Sequence, residues 1–307
     1  MRAAGLALGY AADLVFGDPR RWHPVSGFGK IARAAEHVMY ADTRRAGALF
    51  TTVLVGGAAG LGYAADRATR RHAVLNTAVT AVATWAVLGG RSLGYEARTL
   101  DDQLRRGDLA AARAQVTHLV GRDPSVLDAG GIARATVESV AENTSDAVVA
   151  PLVWGALLGP AGLLGYRAAN TLDARVGHRT PRLERFGWAS ARFDDVLNLA
   201  PARLSALLAA GLGDDARAAL RVWRRDAHKH PSPNAGPVES AFAGALGVTL
   251  GGVNIYHGRV ENRGTLGDGP HPVPADIGRA ARLAAKVGAG ALGAATVLAL
   301  AVDPRGR

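Results

Sequence analysis

The chain has 307 residues, enough for one large domain or two small ones with a sizeable buried core. Its 49% apolar share excludes a disordered chain, and 39 Gly without a three-residue period exclude collagen. The absence of Cys removes a disulfide scaffold, a thiolate nucleophile, a Cys zinc site and an iron–sulfur cluster. The formal charge of +10 invites a nucleic-acid partner, yet only Lys30, Lys229 and Lys286 are lysines and the arginines are scattered in short groups. Aromatics make up 6% and do not interleave with them, so no stacking platform for bases forms and no nucleic acid is expected.

In chain order, the first apolar stretch (Ala3 to Phe16) contains Asp13 and runs into Gly17-Asp18-Pro19, unlike a secretory signal with its small-residue cleavage site. Residues 46–65, 73–90 and 147–166 are uncharged for 20, 18 and 20 positions. A helix crossing ~30 Å of hydrocarbon needs about 20 apolar residues, so these three qualify as spans. Shorter candidates follow near 196–213, 240–256 and 287–302. Arg44, Arg45, Arg67, Arg70 and Arg71 flank the first two, as side chains that snorkel to head groups do. A soluble Ala-rich bundle is the competing reading, because the runs favour Ala and Gly and the mean hydropathy is only +0.07. The expected fold is all-α: one multi-pass integral membrane unit over 1–307, with polar helical or loop excursions at 91–146, 214–239 and 257–282.

Five polar clusters could carry chemistry. Glu138, Glu142 and Asp146 are spaced four apart, so on a helix they share one face with Arg134 a turn earlier, beside Asn143. Like charges at that spacing repel unless a cation sits over them; a solvated face is the alternative. Asn170 and Asp173 follow the third run, one turn after Arg167. Asp194 and Asp195 head an apolar segment with Asn198 a turn inside, which suits oxygen ligation of Mg²⁺ or plain helix capping. Arg203 lies inside that apolar segment, where a charge needs a partner or an anionic ligand.

The fourth cluster runs from Arg225 and Asp226 through His228, Lys229, His230, Ser232 and Asn234 to Gly236 and Pro237. Three Pro and a Gly in seven residues predict a turn-rich loop rather than a helix, one that suits a phosphate or other anion. The fifth is Gly251-Gly252-Val253-Asn254-Ile255-Tyr256-His257-Gly258, where Gly lets a ligand or helix come close.

Several named motifs fail on context. No P-loop pattern is present. Gly27-Phe28-Gly29 mimics a dinucleotide fingerprint but no strand precedes it. Gly90-Arg91-Ser92-Leu93-Gly94 matches a nucleophile elbow, which requires a strand–turn–helix setting and here follows an Ala-rich run. His228 and His230 lack the helical spacing and third ligand of a zinc site.

Taken in order, E-S-V-A-E-N-T-S-D, N-T-L-D, D-D-V-L-N-L-A-P-A-R, R-D-A-H-K-H-P-S-P-N-A-G and L-G-G-V-N-I-Y-x-G closely resemble the CobD/CbiB family, over about residues 5–270. The resemblance implies a multi-pass protein of the cell inner membrane, its active-site loops on the cytoplasmic side where ATP is. It implies an adenosylcobinamide-phosphate synthase, which joins adenosylcobyric acid to (R)-1-aminopropan-2-ol O-phosphate, or the free aminopropanol, with ATP as co-substrate and Mg²⁺. The corrinoid is then substrate rather than cofactor, and the lipid bilayer, a homo-oligomer or other cobalamin-assembly enzymes are the further candidate partners. Under it, Glu138, Glu142, Asn143, Asp146, Asp173 and Asp195 are catalytic candidates, and Asp146, Asp194 and Asp195 are metal candidates. Asn170, Asn198, Arg203, Arg225, Asp226, Lys229, His230, Ser232, Asn234, Gly236, Asn254 and Tyr256 are candidates for binding substrate or ATP.

The residues are compatible with that chemistry. A carboxylate is a poor electrophile; phosphorylation converts it to an acyl phosphate that an amine attacks, which needs Mg²⁺, cations around the phosphoryl group and a base. A non-enzymatic membrane protein, AmpE-like or a transporter, is the competing class, but has no need of acidic clusters and a Pro-rich anion loop outside its spans.

Overall fold

The structure, a computed structural model, describes residues 1–18, 23–121, 123–178, 180–256 and 259–302; the side chains of 254–256, 259 and 260 lie outside that description. It is all-α apart from one hairpin. The helices are α1 (Arg2–Phe16), α2 (Pro24–Met39), α3 (Arg44–Thr69), α4 (Ala73–Val87), α5 (Gly90–Arg105), α6 (Leu109–Val116) and α7 (Ala129–Thr144). A π-helical turn, Ser145–Val149, leads into α8 (Ala150–Leu158), followed by α9 (Pro160–Val176), α10 (Trp188–Leu212), α11 (Ala216–Asp226) and α12 (Ala235–Leu246). Strands β1 (Leu250–Tyr256) and β2 (Arg259–Leu266) pair antiparallel, with a bulge between Gly251 and Val253, before α13 (Pro274–Val302).

Among the described residues, four stretches are long and apolar enough to cross a membrane: Arg44–Thr69, Ala73–Arg105, Trp188–Leu212 and Pro274–Val302. They take in the expected spans at 46–65, 73–90, 196–213 and 287–302. Large apolar side chains such as Leu61, Val82, Val196 and Val297 stand exposed on them, as lipid-facing side chains do. The chain is an all-α membrane protein.

The other two uncharged runs are not single long helices. In 147–166 the π turn gives way to α8, which stops at Gly159 (φ 62°) and Pro160, the latter opening α9. Pro has no N–H to donate, so the α8 ladder cannot continue through it. Leu152, Leu163 and Tyr166 on this pair are buried. In 240–256, α12 ends at Gly247 in the left-handed region (φ 67°) and β1 follows. The Pro-rich segment is also shorter as a loop than its composition predicts: α12 begins at Ala235, and Pro237 fits because the first helical turn needs no donor there.

The chain forms two compact units, one of Met1–Gly89, Ala150–Asn198 and Leu292–Arg307, the other of Gly90–Val149 and Leu199–Ala291. In the first, Phe50 and Phe186 pack with ring centroids 5.0 Å apart among Ala32, Val55, Ala169, Leu172 and Val176. Glycine makes this packing possible: a Cβ on Gly47 would sit 1.8 Å from the Phe186 carbonyl oxygen. Such small-residue contacts are how membrane helices approach closely, which accounts for the Ala- and Gly-rich runs. In the second unit α12 is buried along its whole length and packs against α7 and α11.

Candidate functional site

In the first unit, α9 and α10 bring four of the expected residues together. Tyr166 Oη donates to Asn198 Oδ1 at 2.9 Å, and Asn198 Nδ2 donates to Asp194 Oδ2 at 3.0 Å. Asp194 is buried, and its Oδ1 makes no hydrogen bond. From α9, a turn apart, Asn170 reaches the Asp194 carboxylate with its side-chain amide and Asp173 faces it as a like charge. Arg167 Nη1 donates to Asn170 Oδ1 at 3.3 Å. Asp195 points elsewhere, toward Arg192 at 3.5 Å, because adjacent helical residues face about 100° apart. Neither Asp caps a helix, since α10 begins six residues earlier at Trp188.

Beside this cluster, α2, α3, α4 and α9 enclose an apolar cavity of about 500 Å³, lined by Phe28, Leu54, Leu61 and Leu164, with Arg167 on its wall. That Arg marks the polar edge of an otherwise greasy space.

In the second unit, the acidic face of α7 divides by role. Glu138 is buried, and its Oε1 accepts the Gly251 N–H at 2.7 Å; Arg134 Nη1 donates to the Gly251 carbonyl at 2.9 Å. The pair thus clamps both backbone polar groups of the residue at the β-bulge. Gly is needed there: φ is 78°, and a Cβ would meet the Gly264 carbonyl at 2.1 Å. Glu142 and Asp146 are half-buried, with Asp146 in the π turn, so the regular four-residue spacing stops before it. Such turns occur frequently at functional sites. Asn143 Nδ2 donates to the Ser139 carbonyl (2.9 Å) and Oγ (3.0 Å).

The basic segment after α11 is largely self-neutralised. Asp226, fully buried, accepts from Arg225 Nε (2.8 Å) and Nη2 (2.7 Å), from Lys229 Nζ (2.6 Å) and from Gly267 N (2.9 Å). Arg225 foremost, with Gly267 and Lys229, outweighs the burial and holds this carboxyl far below the usual carboxylate range. Arg225 also pairs with Asp268 at 2.8 Å, and these two acids push its own affinity for the proton up. Arg225 and Lys229, expected around an anion, therefore anchor the turn to the end of β2.

The rest of the segment is a cradle. His230 Nδ1 accepts the Ser232 N–H at 3.0 Å, which places its proton on Nε2, 3.7 Å from Glu239 Oε1. Both side chains are buried. Ser232 Oγ accepts from Asn234 N at 3.3 Å and Ala235 N at 3.1 Å, tying the turn to the start of α12, whose N-cap Asn234 makes no side-chain cap bond of its own. Arg203 Nη1 donates to Asn234 Oδ1 (3.2 Å) and to the Leu199 carbonyl (3.1 Å), both neutral partners. Gly236 is forced by proximity, since a Cβ would lie 2.2 Å from the Ala227 carbonyl. Asn254 and Tyr256 occupy β1, paired in register with Glu261 and Arg259, but their side chains, like His257 and Gly258, are outside the described residues.

Ser92 lies in the first turn of α5 and Gly27 and Gly29 lie within α2, so neither the nucleophile elbow nor the dinucleotide loop has its strand. Three residues escaped sequence reasoning. Tyr166 was readable from its i, i+4, i+7 spacing with Asn170 and Asp173, and Glu239 as the lone acid of an apolar helix. Glu36 accepts from Arg182 (2.7 Å) and Arg175 (3.0 Å), and nothing in its exposed-looking surroundings signals that.

Among the described residues no group of three or more Asp, Glu or His could hold a metal ion by itself. The donor set fits Mg²⁺ of another kind. The ion keeps several waters and is commonly held by one or two carboxylates together with substrate phosphates, and the orphaned Asp194 Oδ1 beside Asp173 offers such oxygens.

The family model described as CobD/Cbib protein matches residues 6–284. A cobalamin biosynthesis protein CobD of Mycobacterium tuberculosis is 50% identical over 301 residues, covering 97% of this chain and 96% of the relative. Proteins of the same name from Chromobacterium violaceum and Geobacter metallireducens are 46% and 44% identical, covering 91% and 87% of this chain and 90% and 87% of their own. No solved structure matches. The chain belongs to the CobD/CbiB family.

Proposed function

We propose that this membrane protein serves cobalamin biosynthesis as an ATP-dependent ligase. It joins the carboxylate of adenosylcobyric acid to (R)-1-aminopropan-2-ol O-phosphate, or to the free aminopropanol, giving adenosylcobinamide phosphate. The near-full-length match to proteins named for cobalamin biosynthesis supports the pathway. The observation that carries the chemistry is Asp194, a buried carboxylate with an orphaned oxygen, oriented by Asn198 and Tyr166 and set beside Asp173.

Mg²⁺ bound with ATP would neutralise phosphate charge during transfer to the carboxylate. Asp194 and Asp173 would hold that cation, and the Tyr166–Asn198 relay fixes the rotamer of Asp194 so that little reorganisation would be needed there. Asn170, tied to Arg167, is placed to orient a phosphate or amide by hydrogen bonds. In the second unit, Arg203 has only neutral partners among the described residues, which leaves its charge for the phosphate of the amino alcohol or nucleotide. Glu142 and Asp146 are the candidates to take a proton from the incoming ammonium. The transferred phosphoryl leaves as inorganic phosphate when nitrogen attacks the acyl carbon, so one amide forms for each ATP cleaved to ADP.

Because ATP is cytoplasmic, the cluster around Asp194 would open to the cytoplasmic side of the inner membrane. The test supplies purified protein with adenosylcobyric acid, aminopropanol phosphate, ATP and Mg²⁺, and reads amide and ADP by mass spectrometry. Equal amounts of both are expected; absence of both would sink the reading.

A further inference from the structure

One charged cavity is used by none of this chemistry. It lies in the second unit and holds about 210 Å³, lined by Gly213, Asp214, Leu246, Arg279, Arg282 and Lys286 among others. The three cations fall at i, i+3 and i+7 on α13 and so share one face. Arg279 is spoken for: it pairs with Asp276 at 2.8 Å and approaches Asp214 at 3.7 Å. Lys286 Nζ donates to the Leu212 carbonyl at 3.3 Å, at the negative end of α10, a neutral partner that positions the ammonium without cancelling it. Arg282 is exposed and forms no ion pair with the described residues. Asp101 of α5 accepts from Arg105 at 2.8 Å through Oδ1, and its Oδ2 and Arg282 Nη1 each lie 3.5 Å from where a Cβ on Gly278 would sit. Arg279 thus spends its charge on Asp276 and Asp214, while the Lys286 ammonium, held by a neutral carbonyl, keeps its charge at the cavity.

Its depth is set by the spans. Lys286 is the last charge before the uncharged residues 287–302, and α10 ends at Leu212 just before Asp214 and Asp215. Gly290 packs against Leu208 and Leu212, where an added Cβ would lie 3.0 Å from each side chain. Two membrane-length helices therefore reach the hydrocarbon border together, with the cationic cavity at that border. A volume of 210 Å³ is below the roughly 300–1,000 Å³ of pockets for whole small molecules and suits a single phosphate group.

We propose that this cavity binds the phosphate of an anionic membrane lipid, gripped by Arg282 and Lys286 while its acyl chains lie along α10 and α13. Basic pockets between membrane helices take such head groups. Native mass spectrometry of the detergent-purified full chain, titrated with phosphatidylglycerol, tests it. The wild type is expected to retain phosphatidylglycerol over phosphatidylcholine, and Arg282→Gln/Lys286→Gln to weaken retention about fivefold or more. The single variant Arg282→Lys, which keeps the charge, is expected to retain it and guards against misfolding of the double variant. Equal retention of the two lipids, or unchanged retention in the double variant, would overturn the proposal. Displacement of the lipid by millimolar inorganic phosphate would overturn the lipid source in favour of a soluble phosphate.

Discussion

Asn198 holds Asp194 in place: its amide nitrogen donates to the buried carboxylate at 3.0 Å, four residues apart on one helix face. Its amide oxygen is committed too, accepting the Tyr166 hydroxyl at 2.9 Å, so the flip state of Asn198 is set from α9. Tyr166→Phe removes that constraint while keeping the ring. The expected result is a drop in kcat of about tenfold, with KM for adenosylcobyric acid nearly unchanged, because the loss falls on preorganisation. Unchanged kcat would reduce the tyrosine to packing.

Asp226 is the clip of the second unit. The cations it binds are themselves exposed, so Asp226→Ala should cost about 1–3 kcal/mol through its lost hydrogen bonds and lower the thermal midpoint by a few degrees. Its carboxyl is held below its unfolded value, so its contribution is full above about pH 4 and fades as pH falls through the folded-state value. The wild type should lose stability in acid below about pH 4, and Asp226→Asn should show a flatter acid limb.

Glu36 obeys the same rule in the first unit. Burial alone would raise its carboxyl, but hydrogen bonds from Arg182 and Arg175 outweigh it and hold the group low. Glu36→Gln should weaken the tie of α2 to α9 by about 1–3 kcal/mol, read as a lower detergent melting temperature with ligation kinetics intact.

Arg203 separates binding from architecture. Arg203→Gln keeps a donor for Asn234 but removes the charge, so KM for the phosphate-bearing substrate should rise about tenfold or more with a smaller change in melting temperature. Restoration by Arg203→Lys would mark simple charge; failure of Lys to rescue would mark the planar fork.

Much of this was legible in the residues. The charge-free runs that became α3 and α4 are long enough to announce themselves, the segments in α10 (broken by Arg203) and α13 less so, and the Asn170–Asp173 and Asp194–Asn198 spacings place each pair on one face. Composition could not separate a lipid-facing run from a buried one, so 147–166 and 240–256 look like spans although Gly159-Pro160 and Gly247 interrupt them. Nor does sequence say where a charge is spent. Arg225 and Lys229 look like free anion ligands, and only the fold shows them closed over Asp226. The split of Glu138 from Glu142 and Asp146 likewise depends on Gly251, more than a hundred residues away.

If the buried Asp194 carboxylate holds the magnesium of the reacting nucleotide, as proposed, the Mg²⁺ dependence of amide formation in Asp194→Asn against wild type measures it directly. Asparagine keeps the size and the bond to Asn198 in reach but withdraws the charge. Loss of product by about a hundredfold or more, with a raised Mg²⁺ requirement and an unchanged melting temperature, is the predicted result. Wild-type turnover at the same Mg²⁺ concentration would contradict it and return Asp194 to a structural role.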